Sequence, residues 1–187
     1  QLYYYMSIEN IKKPTVDELL KKCEEILKEA KMNAVERLKQ LTKRQAEENE
    51  IFCYFELFDL ENYSLSYNKA HAVKGDGELP KIEVAFGPAF EDMESFIPQL
   101  DEYLSGVFES FEYPESESQG FTKKHEDLIF KWFGECWADA GGKESLVPTY
   151  FCFGPTFNEF RDLFTGEVLN EVKAAEKAGI KAVSDFA

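Results

Sequence analysis

From Val16 onward the apolar positions recur at intervals of three and four: Val16, Leu19, Leu20, Cys23, Ile26, Leu27, Ala30, Ala34, Leu38 and Leu41. This spacing predicts one long amphipathic helix over about residues 15–47. Thr15-Val16-Asp17-Glu18, just after Pro14, forms a capping box. In it the hydroxyl at the N-cap and the carboxylate three residues on satisfy each other's backbone N–H groups. The opposite face is rich in Lys and Glu, with Glu18–Lys22 and Glu24–Lys28 in the favourable i,i+4 order.

The period then switches to two. Ile51, Cys53, Phe55 and Leu57 are expected on one side of a strand, with Phe52, Tyr54, Glu56 and Phe58 on the other. Asp59 to Asn62 reads as a turn. Tyr63, Leu65 and Tyr67 alternate with Ser64, Ser66 and Asn68, and Ile82, Val84 and Phe86 alternate with Lys81, Glu83 and Ala85. Three sequential strands with short links predict an antiparallel meander. Phe90, Met93, Phe96, Ile97, Leu100, Leu104 and Phe108 mark a second helix, with Pro98 expected to kink or break it. Residues 112–120 (EYPESESQG) read as an acidic, mobile loop. Thr122 or Asp127 is expected to cap a third helix carrying Leu128, Ile129, Trp132, Phe133, Cys136 and Trp137, ended by Gly141-Gly142. Thr149 to Phe153 is a continuous apolar run, expected as a central strand buried on both faces. A small hairpin around Thr165-Gly166 and a helix over Glu171–Lys177, stopped by Gly179, complete the pattern. The expected fold is one α+β domain over residues 1–187. It has a mainly antiparallel sheet of about five to six strands, with the long first helix and further helices packed on it. The natural start is expected at Met6, leaving residues 1–5 outside the fold argument.

Composition fits a globular chain: 187 residues, 44% hydrophobic and 15% aromatic. Charge changes the picture more. The formal net charge is −15, and it is unevenly spread. Residues 1–45 carry 10 basic and 7 acidic side chains, residues 46–120 carry 3 and 18, and residues 121–187 carry 8 and 11. The middle segment therefore holds the whole imbalance. A concentrated acidic field repels phosphate backbones and anionic membranes, so nucleic acid and membrane are not expected partners. It attracts a basic protein. Four cysteines without a C-x-x-C pair fit no zinc template and are expected as buried thiols in the cytoplasm.

Candidate chemistry is sparse. Cys136 with His125 has the residue types of a thiol nucleophile and its base. Glu56, among aromatics on a strand, has those of a general acid with a raised pKa. Asp76, Glu78 and the Glu112–Glu117 cluster offer carboxylates but not the every-second-position register of a calcium loop. No catalytic, metal or cofactor site is assigned, and no cofactor is expected. The more suggestive stretch is Phe108 to Glu117, where acids interleave with aromatics. Acids steer and pair with Arg or Lys, while aromatics anchor. The expected partner-binding residues are Glu109, Phe111, Glu112, Tyr113, Glu115 and Glu117, together with Asp101 and Glu102.

The stretch Pro148 to Leu169 (PTYFCF…RDLFTGEVL) resembles a strand followed by a D-L-x-T-G-E hairpin found in small α+β bacterial proteins. These include immunity proteins of polymorphic toxin systems. The resemblance covers about 20 residues. It implies a non-enzymatic cytoplasmic protein that caps a toxin domain by complementary charge. The alternatives left open are a DNA-mimic inhibitor, an enzyme using Glu56 or Cys136 with His125, and a homo-oligomer held by the first helix.

Overall fold

A computed structural model describes residues 12–58, 63–75, 77–87, 95–154 and 159–182. The expected start at Met6, the turn at Asp59–Asn62, Asp76, and the Phe90 and Met93 positions lie outside the described residues. The elements run α1 (Val16–Thr42), β1 (Glu50–Phe58), β2 (Ser64–Val73), β3 (Lys81–Ala85), α2 (Pro98–Ser110), α3 (Glu115–Asp139), a 3-10 turn (Gly142–Glu144), β4 (Thr149–Phe153), β5 (Phe160–Asp162), β6 (Val168–Leu169) and α4 (Glu171–Lys177). The six strands form one mixed sheet in the order β3-β2-β1-β4-β5-β6. Every neighbouring pair is antiparallel except β1 with β4, which run parallel. This is the expected α+β class, with the long helix first. No helix among the described residues is long and apolar enough to cross a membrane.

Each face of the sheet carries its own core. Cys53, Phe55 and Leu57 of β1 and Phe151 of β4 face α1, α2 and α3. Phe52 and Tyr54 of β1, with Tyr150 and Cys152 of β4, face the smaller layer that includes Ala174 and Ala175 of α4. Phe55 is the hub of the larger core. Its ring lies 4.8 Å from Tyr67, 4.8 Å from Phe133 and 5.2 Å from Trp137. α1 and α3 lie side by side and run parallel, because successive residues of one meet successive residues of the other. Lys124 pairs with Asp17 at 3.6 Å, Lys31 with Asp139 at 3.0 Å, and Thr42 Oγ1 donates to the Ala140 carbonyl at 3.0 Å. Between them Trp132 Nε1 donates to the Leu27 carbonyl at 2.7 Å, satisfying the one polar atom of a buried indole.

The capping box at Thr15 forms as expected, with both reciprocal bonds present. Four local expectations are corrected. The first helix ends at Thr42 rather than near 47, since no large apolar side chain follows Leu41 until the sheet begins. Ile51 packs with Phe52 and Tyr54 on the second face, because a bulge between Glu50 and Phe52 breaks the alternation. Pro98 starts α2 instead of kinking it. It takes the first helical position, where its missing N–H costs nothing.

The fourth correction matters most. Residues 112–120 are not a loop throughout: α3 begins at Glu115, well before Thr122 or Asp127. Pro114 occupies the N-cap, and Glu115 and Glu117 in the first turn complement the positive end of the helix dipole. The acids that suggested a solvated loop are helix-starting residues.

Gly134 marks the closest approach of α3 to the hairpin side of the sheet. A Cβ there would stand 2.9 Å from the Leu163 carbonyl oxygen. Phe55 is fully buried. We expect Phe55→Ala to cost about 3–5 kcal/mol, read as a lowered urea midpoint with unchanged slope. A cost below about 1 kcal/mol would show that this ring is not the hub of the helical layer.

Candidate functional site

The turn between α2 and α3 brings the expected acids and aromatics to one corner of the molecule. α2 closes with Phe111, whose N–H donates to the Val107 carbonyl at 2.9 Å. Three residues later Pro114 opens α3. Glu109, Glu112, Glu115 and Glu117 are all exposed on this turn and its flanks. Glu115 accepts from Gln119 Nε2 at 3.0 Å. Among the described residues, Glu109 and Glu112 have no ion-pair partner. From residue 82 to residue 122 the sequence contains no Lys or Arg at all, so no neighbour along the chain neutralises the corner.

Asp101 and Glu102 stand apart from this group. They sit in the first turn region of α2, eight and seven residues before Glu109, which is roughly 10–12 Å along a helix. Asp101 accepts from Ser105 Oγ at 3.4 Å. The structure therefore unites six of the eight expected partner-binding residues and leaves these two on a neighbouring stretch.

The aromatics of the corner are not isolated rings. Phe108, 43% exposed, lies edge-on to Tyr113 at 5.6 Å and to Phe121 at 5.7 Å. Phe121 stacks on His125 at 5.0 Å, and His125 meets Tyr63 edge-on at 5.9 Å. A continuous file of rings thus runs from the surface to a buried imidazole. Phe111 packs on the same core, and Tyr113 donates its hydroxyl to the Pro14 carbonyl at 2.9 Å. Lys13 closes the corner: its ammonium sits 4.2 Å from the centre of the Tyr113 ring and 3.8 Å from Glu117 Oε2.

His125 is the inner end of the file. Its Nε2 lies 2.6 Å from the Tyr63 hydroxyl, while Nδ1 is buried without a hydrogen-bond partner. Tyr63 itself holds a left-handed backbone, φ 44°, an uncommon conformation for a bulky residue. Burial pushes the imidazole down to about 4, so it is neutral near pH 7. His125 and Cys136 share α3 but stand 11 residues apart, about 16 Å along the axis. They do not form a nucleophile–base pair. Burial also raises the Cys136 thiol to about 12, the opposite of activation.

Two further polar clusters accompany the corner. Glu56 is buried on the second face of the sheet, opposite Cys152 of β4, and accepts from Asn68 Nδ2 at 3.2 Å. Burial raises its pKa, and the Asn68 bond only partly offsets this. The expectation of a carboxyl with a raised pKa is met, but nothing nucleophilic is exposed beside it among the described residues. At the far end of α1, Arg44 holds Glu50 in a two-pronged ion pair and also donates to the Tyr67 hydroxyl at 2.9 Å and to Cys53 Sγ at 3.1 Å. Burial pushes the Glu50 carboxyl up, yet the Arg44 guanidinium and the Glu47 backbone N–H together outweigh it and hold it below its ordinary value. Glu47, Glu50 and His71 bring their donor atoms within 4.8 Å of one another. Arg44 and Lys69 already supply positive charge to both carboxylates, so a cation would have to displace them.

Sequence reasoning missed Lys13, Phe121, His125 and Tyr63 as members of the corner. The i,i+4 pair Phe121–His125 was the available signal, hidden because the helix was expected to start later. The Arg44 cluster offered no signal, since its members come from three stretches of chain: the segment after α1, β1 and β2. Compared with known proteins, the chain matches no family model, no curated protein and no solved structure.

The buried histidine makes stability pH-dependent with a definite sign. An unfolded imidazole binds its proton near pH 6.5 and the folded one near 4, so the unfolded state holds more protons in that window. Stability is full above about 6.5 and falls as pH drops toward 4, by up to about 3 kcal/mol. His125→Gln should flatten this component, read as the difference between urea titrations of the two proteins from pH 7.5 to 4.5. Parallel pH profiles would overturn it.

Proposed function

We infer that this chain is a non-enzymatic protein-binding protein that neutralises a basic partner, in the manner of an immunity protein capping a toxin domain. The observation that carries this reading is the α2–α3 corner. Exposed carboxylates at Glu109, Glu112, Glu115 and Glu117 share the turn between α2 and α3 with the partly exposed rings of Phe108 and Tyr113. Unneutralised acids raise the encounter rate with a positive partner, and a pre-organised ring anchors it without a large entropy cost. Glu115 and Glu117 serve the fold at the start of α3, where Glu115 meets Gln119 and Glu117 meets Lys13, whereas Glu109 and Glu112 have no ion-pair partner among the described residues. The hairpin likeness to immunity proteins supports the same reading, as does the concentration of the whole charge imbalance in residues 46–120.

The partner is a protein surface bearing Lys and Arg in a cluster about as wide as the corner. The cytoplasm is the compartment that suits four buried, unpaired thiols. Glu109, Glu112 and Glu115 are exposed, so their reversal to Lys should cost no more than about 1 kcal/mol, most of it at Glu115 in the first turn of α3. Affinity purification of the tagged chain from its native cells at low and high salt, followed by mass spectrometry, is the direct test. The expected result is a stoichiometric basic protein that is retained by the wild type and lost from the triple Lys variant. With that protein in hand, the triple variant should associate at least about tenfold more slowly, with a flatter salt dependence. Equal retention and equal rates would remove this corner as the binding site.

A further inference from the structure

We propose that Tyr113 and Glu117 form a lysine-binding notch, occupied in the free protein by the chain's own Lys13, which a lysine of the partner displaces. The inference rests on the protein-binding reading of the corner and adds the chemistry and the regulation of one subsite within it.

The geometry is that of a recognised ammonium. Lys13 Nζ lies 4.2 Å above the Tyr113 ring and 3.8 Å from one oxygen of Glu117. A ring face attracts either basic side chain, and a single carboxylate oxygen beside it suits a compact ammonium. A guanidinium is better served by two parallel bonds to one carboxylate. The Tyr113 ring is fixed from behind by Phe108 and from its hydroxyl by the Pro14 carbonyl, so the notch is pre-formed.

The hold of Lys13 on the notch is weak enough to exchange. The Lys13 and Glu117 side chains keep 39% and 50% of their exposure, and exposed ion pairs and cation–π contacts are each worth little. The residue also stands before the N-cap Thr15, so its side chain can leave without opening the capping box. Besides the Lys13 contacts, the bond from Tyr113 to the Pro14 carbonyl holds residues 13–14 among the described residues. A basic partner arriving at Glu109, Glu112 and Glu115 therefore meets a notch whose present occupant has the same chemistry as its own lysines, and its higher local concentration of lysine decides the exchange.

Octalysine is the probe, titrated at low salt into the full chain and followed by calorimetry. Lys13→Ala should bind it about three- to tenfold more tightly than wild type. Lys124→Ala removes the same charge from the lining of the same cleft, where Lys124 pairs with Asp17 at 3.6 Å rather than with the Tyr113 ring, and should change affinity less than twofold. In the wild type, the Lys13 side-chain NMR resonances, shifted by the ring, should move to ordinary lysine values as octalysine saturates. Equal effects of Lys13→Ala and Lys124→Ala, or Lys13 resonances that stay put at saturation, would overturn the notch while leaving the acidic corner intact as a binding site. Failure of octalysine to bind either the wild type or Lys13→Ala would overturn both.

Discussion

The seating of α3 on the sheet is the constraint from which the rest of the molecule follows. Phe55 projects from the central strand into Phe133 and Trp137 of α3, and Trp132 on the next ridge donates to a carbonyl in the middle of α1. One helix thus reads the sheet with one set of aromatics and the long first helix with another. Aromatic rings bury large areas and prefer edge-to-face or offset contacts, so the edge-on meetings of Phe55 with Phe133 and Trp137 set the helix rotation as well as its position. Once the C-terminal half is fixed in this way, the N-terminal turns have only one place to go. They extend past the sheet and carry Glu115 and Glu117 to the corner beside α2.

The same rigidity explains how the file of rings from Phe108 to His125 holds its shape. Phe121 and His125 are one helical turn apart and stack. Tyr63, entering the second strand in a left-handed conformation, aims its hydroxyl at Nε2. A histidine here brings a cost that a second phenylalanine would not: a buried Nδ1 without a partner and a stability that declines in acid. What it contributes in return is a directional bond to Tyr63 that fixes the start of the second strand against α3. Strand, helix and surface corner are thereby coupled mechanically through four contacts between rings.

Much of this was legible in the chain before folding. The capping box at Thr15, the long apolar stripe, the three-strand meander, the buried run at Thr149–Phe153 and the last hairpin and helix all follow from period and punctuation, because each is decided by neighbours within one turn or one strand. What was not legible depended on partners distant in sequence or on a sign that cuts both ways. Ser, Glu and Gln after a proline suit a solvated loop and equally suit the first turn of a helix, and only the packing of Phe121 and His125 decides between them. Pro98 breaks a helix or begins one according to where the chain before it goes. The bulge that turns Ile51 to the other face has no local mark, and Arg44, Glu50, Cys53 and Tyr67 come together only because the end of α1 meets the edge of the first two strands. The acidic corner was visible as composition, but its inner rings and Lys13 were not.

The distribution of charge compensation separates acids that serve the fold from acids that do not. Glu50 is buried and held by Arg44; Glu47 is met by Lys69 and His71; Glu135 and Asp139 are met by Lys31. In each case the fold has brought a basic residue to the carboxylate, from six residues away at Glu50 and from another element at Glu47, Glu135 and Asp139. At the corner the pattern inverts. Six acids lie between residues 101 and 117 with no Lys or Arg among them, and Lys13 from beyond the helix cap reaches one of these carboxylates. If the negative charge served solubility alone, spreading it over the surface would achieve this with less self-repulsion. Concentrating it beside partly exposed aromatic rings, at the turn between two helices, raises the repulsion and leaves an apolar surface in water. Both costs fall away when a positive, ring-contacting surface covers the corner, and that asymmetry between the free and the covered molecule is the physical basis for reading it as an interface.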